Sequence, residues 1–373
     1  MPQHSNRFQL IDGLRGIAAL AVVFFHLNEA VSRSVEHWAP AWLDLVFRYG
    51  NLGVDVFFVI SGFVIAYSVR NAPATLGFLG KFALRRSIRL DPPYWATIAL
   101  EASLIYVGLR LIPSLGTPLP SVEAVVAHLF YAQNLLGLGN IVPIFWTLCY
   151  EIQFYLAYVG GMILLANIGR RIGGGTAARI AWVVLPASFA ISIAIRFGAI
   201  SSIPGLAIDR WYQFMLGCLV FWCVAGKLQY RWLYAAWLVV SVTILSANQG
   251  LEGLIVVFIS AGVFVGHLTG HLEDGLSARP IQFLGRISYS LYLVHASIGW
   301  RLVSLGQMTV PAFSTVIGAW ILFLTSVAVS IVFAYVWWRL LERPSIALSK
   351  SLGTRRAPVT VQLPDRVAVG VEG

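Results

Sequence analysis

The chain alternates long apolar runs with short breaks that carry charges, prolines or glycines. Cut at those breaks, the runs over 10–28, 52–69, 93–112, 145–166, 180–199, 211–226, 232–247, 251–268, 287–305 and 315–338 predict ten helices. Most approach the roughly 20 residues that an α-helix needs to cross a bilayer core. The first begins at Leu10, beside Asp12 and Arg15, and carries His26 eleven positions beyond Arg15, ~16 Å along an ideal helix axis. The stretch 121–137 is apolar but holds Glu123, His128, Gln133 and Asn134. It reads as an interfacial or re-entrant helix, with a full span as the alternative. No internal repeat, heptad or low-complexity segment interrupts the pattern.

The expected fold is therefore all-α, a polytopic membrane protein of about ten transmembrane helices. Residues 1–347 form the membrane domain, and 348–373 form a polar tail with too little apolar surface to fold. Composition agrees: 58% of the 373 residues are hydrophobic and 11% charged, against roughly 25% charged in soluble domains. That balance excludes a soluble enzyme with one anchor. The first apolar run is too long for a cleavable signal peptide and no small-residue cleavage site follows it. Cys149, Cys218 and Cys223 all lie inside apolar runs, which argues against a disulfide framework or a zinc cluster. No metal site is expected.

The net charge of +10 would suit a nucleic-acid partner, but its distribution points to topology instead. With the N-terminus in the cytoplasm, only Arg33, Arg48, Arg110, Arg196, Arg210 and Arg301 of the 26 basic residues face outward, which leaves 20 inside. This is the positive-inside asymmetry of an even number of spans with both ends cytoplasmic, and it accounts for the charge without nucleic acid.

The same topology assigns depths to the unusual polar residues. His26, Asp55 and Glu151 fall in the outer half and His295 near mid-depth. Ionisable groups in one layer of an apolar bundle must pair or face water, and they mark functional sites by default. On the cytoplasmic side, Lys81 to Trp95 holds the densest basic patch, with Arg86 and Arg89 one helical turn apart. Guanidinium forks bind phosphate bidentately, whereas a topology signal alone would also place arginines here. Pro92-Pro93 is expected to end the helix that holds them. There is no Gly-x-Ser-x-Gly elbow, His-Glu-x-x-His or Walker loop.

Five blocks resemble the integral-membrane acyltransferase-3 family. They are Ile11-Asp-Gly-Leu-Arg15-Gly through His26; Asn51-Leu-Gly-Val-Asp55-Val-Phe-Phe-Val-Ile-Ser61-Gly-Phe; Phe82-Ala-Leu-Arg85-Arg86-Ser-Ile-Arg89-Leu-Asp-Pro-Pro-Tyr94-Trp95; Phe145-Trp146-Thr-Leu-Cys-Tyr-Glu151-Ile-Gln153-Phe-Tyr155; and Leu284-Gly-Arg-Ile-Ser288-Tyr-Ser-Leu-Tyr292-Leu-Val-His295, followed by Glu342-Arg343-Pro344. Thr147-Leu-Cys149-Tyr150 departs from the family's serine-rich lead, and Ile152 stands where many members have a second glutamate. The resemblance implies O-acyl transfer in the bacterial inner membrane. An acyl group, acetyl above all, would move from cytoplasmic acyl-CoA to a hydroxyl of a sugar-containing acceptor such as an exopolysaccharide, O-antigen or lipid-linked glycan. It implies His26, Glu151 and Asp55 as catalytic residues, with His26 as base or acyl carrier and one of the acids orienting it. Arg86, Arg89 and Arg15 would bind the CoA donor. Only residues 345–373 follow the last block, so the bundle is expected to do the chemistry itself or to pass acyl groups to another protein. The competing class is a transporter or flippase of a glycan precursor, since buried acids and histidines also describe proton-coupled carriers.

Overall fold

The computed structural model describes residues 8–112, 118–246 and 252–352. Among them every regular element is helical: α1 Gln9–Ser32, α2 Ala41–Arg48, α3 Gly53–Ser68, α4 Leu76–Leu111, α5 Val122–Leu129, α6 Trp146–Ile172, α7 Gly174–Arg196, α8 Trp211–Val224, α9 Tyr230–Ser246, α10 Glu252–Leu268, α11 Arg279–His295, α12 Arg301–Thr309, α13 Val316–Trp337 and α14 Arg343–Ser351. π-turns at Ala296–Trp300 and Trp338–Glu342 make α11–α12 and α13–α14 two continuous rods. Arg7, and the polar tail from 353 onward whose composition predicts no fold, lie outside the described residues.

All ten predicted apolar runs fall on helices, but length and polarity divide them. Five segments are long and apolar enough to cross a membrane: Gln9–Ser32, Ala41–Ser68, Pro143–Ile172, Gly174–Arg196 and Val316–Ser351. Helices α8, α9 and α10 are apolar but only 14 to 17 residues long, ~21–26 Å against a bilayer core of about 30 Å. The eight residues of α5 reach only ~12 Å, so the stretch 121–137 does not hold a spanning helix. His128 explains its compactness: Nδ1 donates to the Ala124 carbonyl (2.6 Å) and Nε2 accepts the Ile141 amide (3.0 Å), pinning the following loop onto the helix.

One expectation is corrected. Pro92-Pro93 does not end a helix; α4 runs through both for 36 residues. The two missing amides would ordinarily break the ladder, but neighbouring elements clamp this turn from the side. Tyr131 and Ser87 both donate to the Asp91 carboxylate. The Tyr289 hydroxyl donates to the Leu90 carbonyl (2.9 Å) and the Trp337 indole to that of Pro93 (3.2 Å).

Helix α1 is the axis of the bundle, and the α11–α12 rod lies parallel to it. Gln282 donates to the Gln9 carbonyl (2.8 Å) near one end and Gln307 to the Val31 carbonyl (3.2 Å) near the other. Gly16 and Gly285 allow this closeness: a Cβ on Gly16 would stand 2.5 Å from the Gly285 nitrogen, and one on Gly285 2.2 Å from the Asp12 carbonyl oxygen. Small residues at a crossing are how apolar helices gain dispersion contact where no hydrophobic drive exists. Helices α3 and α8 repeat the device, with Gly62 against the Phe214 backbone and Gly217 against that of Val59. Gly285→Ala should therefore destabilise the protein by about 1–3 kcal/mol, read as a lower unfolding temperature in detergent. Gly160→Ala, where an added Cβ meets nothing within 4 Å, should leave that temperature unchanged or higher.

Candidate active site

The first part of α4 aims its basic face inward. Thr75 caps the helix by accepting the Phe78 amide (3.2 Å), and the first turns of the helix fix the phase at which Arg86 and Arg89 emerge. Both line a broad basin of about 670 Å³ together with Arg70, Lys81 and Arg85. Both also line a narrow cavity of about 80 Å³ that penetrates between α1, α3, α4, α6 and α11. Arg15 projects into the same cavity from α1. Among the described residues, no ion pair engages Arg15, Arg86 or Arg89. Three guanidinium groups thus converge on one opening without a carboxylate at ion-pairing distance, the electrostatic requirement for holding an anion.

Glu151 sits on the α6 wall of this cavity. Its carboxylate accepts from the Ser61 hydroxyl (2.7 Å) and from the Tyr155 hydroxyl one helical turn on. The Arg86 guanidinium lies over the Tyr155 ring at 4.3 Å from its centroid, near enough for a cation–π contact. At the deep end Tyr292 and Thr147 share a hydrogen bond (2.8 Å), and both hydroxyls reach the Ile144 carbonyl.

One turn beyond Tyr292 stands His295, which is fully buried, and its Nε2 lies 3.1 Å from Nδ1 of His26. The neighbours assign the protons. His295 Nδ1 faces two backbone carbonyls, those of Leu291 (3.0 Å) and Tyr292 (2.8 Å), so it carries hydrogen and Nε2 carries the lone pair. His26 Nδ1 faces the Val22 carbonyl (3.0 Å) and that lone pair, so it also carries hydrogen. The chain of donors leaves the lone pair of His26 on Nε2, where an incoming hydroxyl can be deprotonated. A neutral imidazole held in one tautomer by a fixed neighbour is the arrangement of a general base.

Of the residues singled out from the sequence, Arg15, Arg86, Arg89 and Glu151 line one cavity; His26 does not line it, but contacts His295, whose ring neighbours that of the lining residue Tyr292. Asp55 does not join them. It is buried against α8, accepting from Arg210 (2.9 Å) and Gln213 (2.6 Å), and so ties α3 to that helix. The side chain at hydrogen-bond distance from His26 is His295, not Asp55 or Glu151. Depth along the helices places His295 near His26, but helical phase, which depth ignores, turns it toward His26 and turns the two acids elsewhere. Tyr155 and Ser61 lie inside two of the matched blocks, and the structure adds their role as hydrogen-bond donors to Glu151. For Tyr155 the available signal is its position four residues after Glu151 on one helix face.

A cationic cavity lined by Tyr292, one helical turn before a half-buried and a fully buried histidine in contact, inside an apolar helical bundle, fits an enzyme that works within a membrane. Comparison with known families makes the class specific. The family model described as an acyltransferase domain matches residues 8–336; the chain belongs to that acyltransferase-3 family and is an acyltransferase. It is similar to Acyltransferase MdmB of Streptomyces mycarofaciens, 27% identical over 98% of this chain and 97% of that protein. It is also similar to Exopolysaccharide production protein ExoZ of Rhizobium meliloti, at 27% over 67% of this chain and 76% of that protein. O-acetyltransferase OatA of Staphylococcus aureus is 25% identical over 77% of this chain and 50% of its own length. No solved structure matches.

The proton assignment is directly testable. ¹⁵N spectra of histidine-labelled protein at neutral pH should show both His26 and His295 in the Nδ1–H tautomer; an Nε2–H signal for His295 would contradict the relay.

Proposed function

We propose that this acyltransferase is a multi-pass protein of the bacterial inner membrane, with about ten spans and both ends in the cytoplasm. It takes an acyl group, acetyl above all, from cytoplasmic acyl-CoA and places it on a hydroxyl of a sugar-containing acceptor. The observation that carries this reading is the convergence of Arg15, Arg86 and Arg89, with no ion pair among the described residues, on a narrow cavity whose lining reaches Tyr292, one helical turn before the His295 that contacts His26. The relatives named O-acetyltransferase and exopolysaccharide production protein support acetyl and a glycan.

In this reading Arg86 and Arg89 hold the CoA phosphates at the mouth, with Arg15 deeper in the cavity. The thioester arm extends into the cavity between α1, α3, α4, α6 and α11. His26 Nε2 takes the proton of the acceptor hydroxyl as that oxygen attacks the thioester carbonyl. The carbon–sulfur bond breaks, and the imidazolium returns its proton to the departing CoA sulfur. Glu151 holds the Ser61 and Tyr155 hydroxyls, and Tyr155 in turn carries Arg86, so the acid acts as a positioning residue for the phosphate end and not as a partner of the base.

Purified protein in liposomes, supplied with radiolabelled acetyl-CoA, should release or transfer the acetyl group. His26→Ala should reduce that rate about 10²–10⁴-fold while still inserting and folding. Counterflow of an intact solute, with no acetyl turnover, would instead make the protein a carrier. Each loss of a charge-assisted contact is worth about 1.5–3 kcal/mol. Arg86→Ala and Arg89→Ala should therefore each raise the KM for acetyl-CoA about 10–100-fold, with kcat changed far less.

A further inference from the structure

A second cavity of about 420 Å³ is lined by Ala296, the residue after His295, and by Trp300, and it shares no lining residue with the arginine cavity. The two succeed each other in the same order along three elements. On α4, Arg86 and Arg89 line the first and Glu101 the second; on the α11–α12 rod, Tyr292 lines the first and Ala296, Trp300 and Arg301 the second. The segment 142–148 is divided in the same way, Pro143 on one side and Thr147 on the other. His295 falls between them on the rod, and the Trp300 ring lies 6.2 Å from that of His26. The π-turn at Ala296–Trp300 inserts an extra residue just after His295. It rotates the side chains of α12 away from the phase a regular helix would give them, as such turns often do at working sites.

The walls have two chemistries. Most of the lining is aliphatic, from Leu104, Ile105, Leu305 and Met308, with the Trp300 indole beside it. Against this stands one polar feature, Glu101, whose carboxylate takes a two-pronged grip from Arg301 (2.5 and 2.7 Å). Glu101 is 7% exposed. An ion pair at such a place adds little to folding that an apolar pair would not, and each of its carboxylate oxygens keeps a lone pair for a hydroxyl donor. Arg33 braces the indole, its guanidinium 4.9 Å from the ring.

We propose that this second cavity is the acceptor subsite, and that its ligand is amphipathic: a hydroxylated ring bound to Glu101 and Arg301, its carbon–hydrogen face against Trp300, with an apolar portion along the aliphatic wall. This rests on the transfer reaction proposed above and adds to it the address and class of the acceptor. The two substrates then meet the histidines from opposite sides, so the acyl group crosses a single imidazole layer.

Ser304, on the cavity wall, gives the test. The three native cysteines are buried, so in Ser304→Cys a benzyl methanethiosulfonate reagent reads only the new thiol. In nanodiscs, n-octyl β-D-glucoside should slow labelling at least fivefold, n-octanol and glucose should each protect far less, and Glu101→Gln should abolish the difference between glycoside and octanol. Equal protection by octanol would mean an apolar lipid groove, and no protection an unrelated cavity; either result overturns the proposal. Labelled Ser304→Cys should bind acetyl-CoA unchanged yet fail to restore alkali-labile acetate to the envelope of a deletion strain. If it restores the acetate while His26→Ala does not, the acceptor site falls and the transfer reaction stands. If His26→Ala also restores it, the base assignment falls, and the glycoside protection still decides the cavity.

Discussion

The close approach of α1 to the α11–α12 rod is the constraint on which the site depends. Two glycines, Gly16 and Gly285, let the backbones nearly touch, and hydrogen bonds from Gln282 and Gln307 lock the register at the two ends. With spacing and register set, His26 and His295 have no choice but to meet, since helices are stiff and rise by a constant ~1.5 Å per residue. A larger side chain at either glycine would widen a 3.1 Å hydrogen bond into a gap.

Polar groups in this bundle are sorted by partner. Asp55 has Arg210, Glu101 has Arg301, Glu342 has Ser290, and the histidines have each other and backbone carbonyls. Each arrangement meets the requirement that a buried polar group be satisfied where water is scarce. No carboxylate among the described residues lies at ion-pairing distance from the three cations at the arginine cavity, and Glu342 attracts Arg15 and Arg89 only from farther off. In the proposed function their shared opening takes the anionic end of the acyl donor.

The arrangement also separates two tasks that one open pocket would confuse. In the proposed reaction, phosphate recognition sits at a wide basic mouth, the thioester arm in the arginine cavity, and the acceptor in the second cavity on the far side of the imidazoles. A hydroxyl that reaches His26 from that side displaces water from the one place where water would hydrolyse a thioester.

Much of this was legible along the chain. Apolar runs located ten helices, because a buried backbone must satisfy its own hydrogen bonds and leaves helix as the local solution. The spacing of Arg86 and Arg89 put them on one face, and isolated ionisable residues in apolar runs marked Arg15, His26, Glu151 and His295 as worth following. What local pattern could not carry was phase and neighbour. Asp55 and His26 had similar predicted depths, yet one turns to α8 and the other to α11. The proline pair read as a helix end because the hydroxyls and the indole that clamp it come from residues 131, 289 and 337. Sequence alone determined which residues are helical and which are too costly to bury without cause, since both depend on each residue's own chemistry. Only the tertiary structure decided which buried groups meet, because that depends on helix packing and register, set by glycines and side chains distant in the chain.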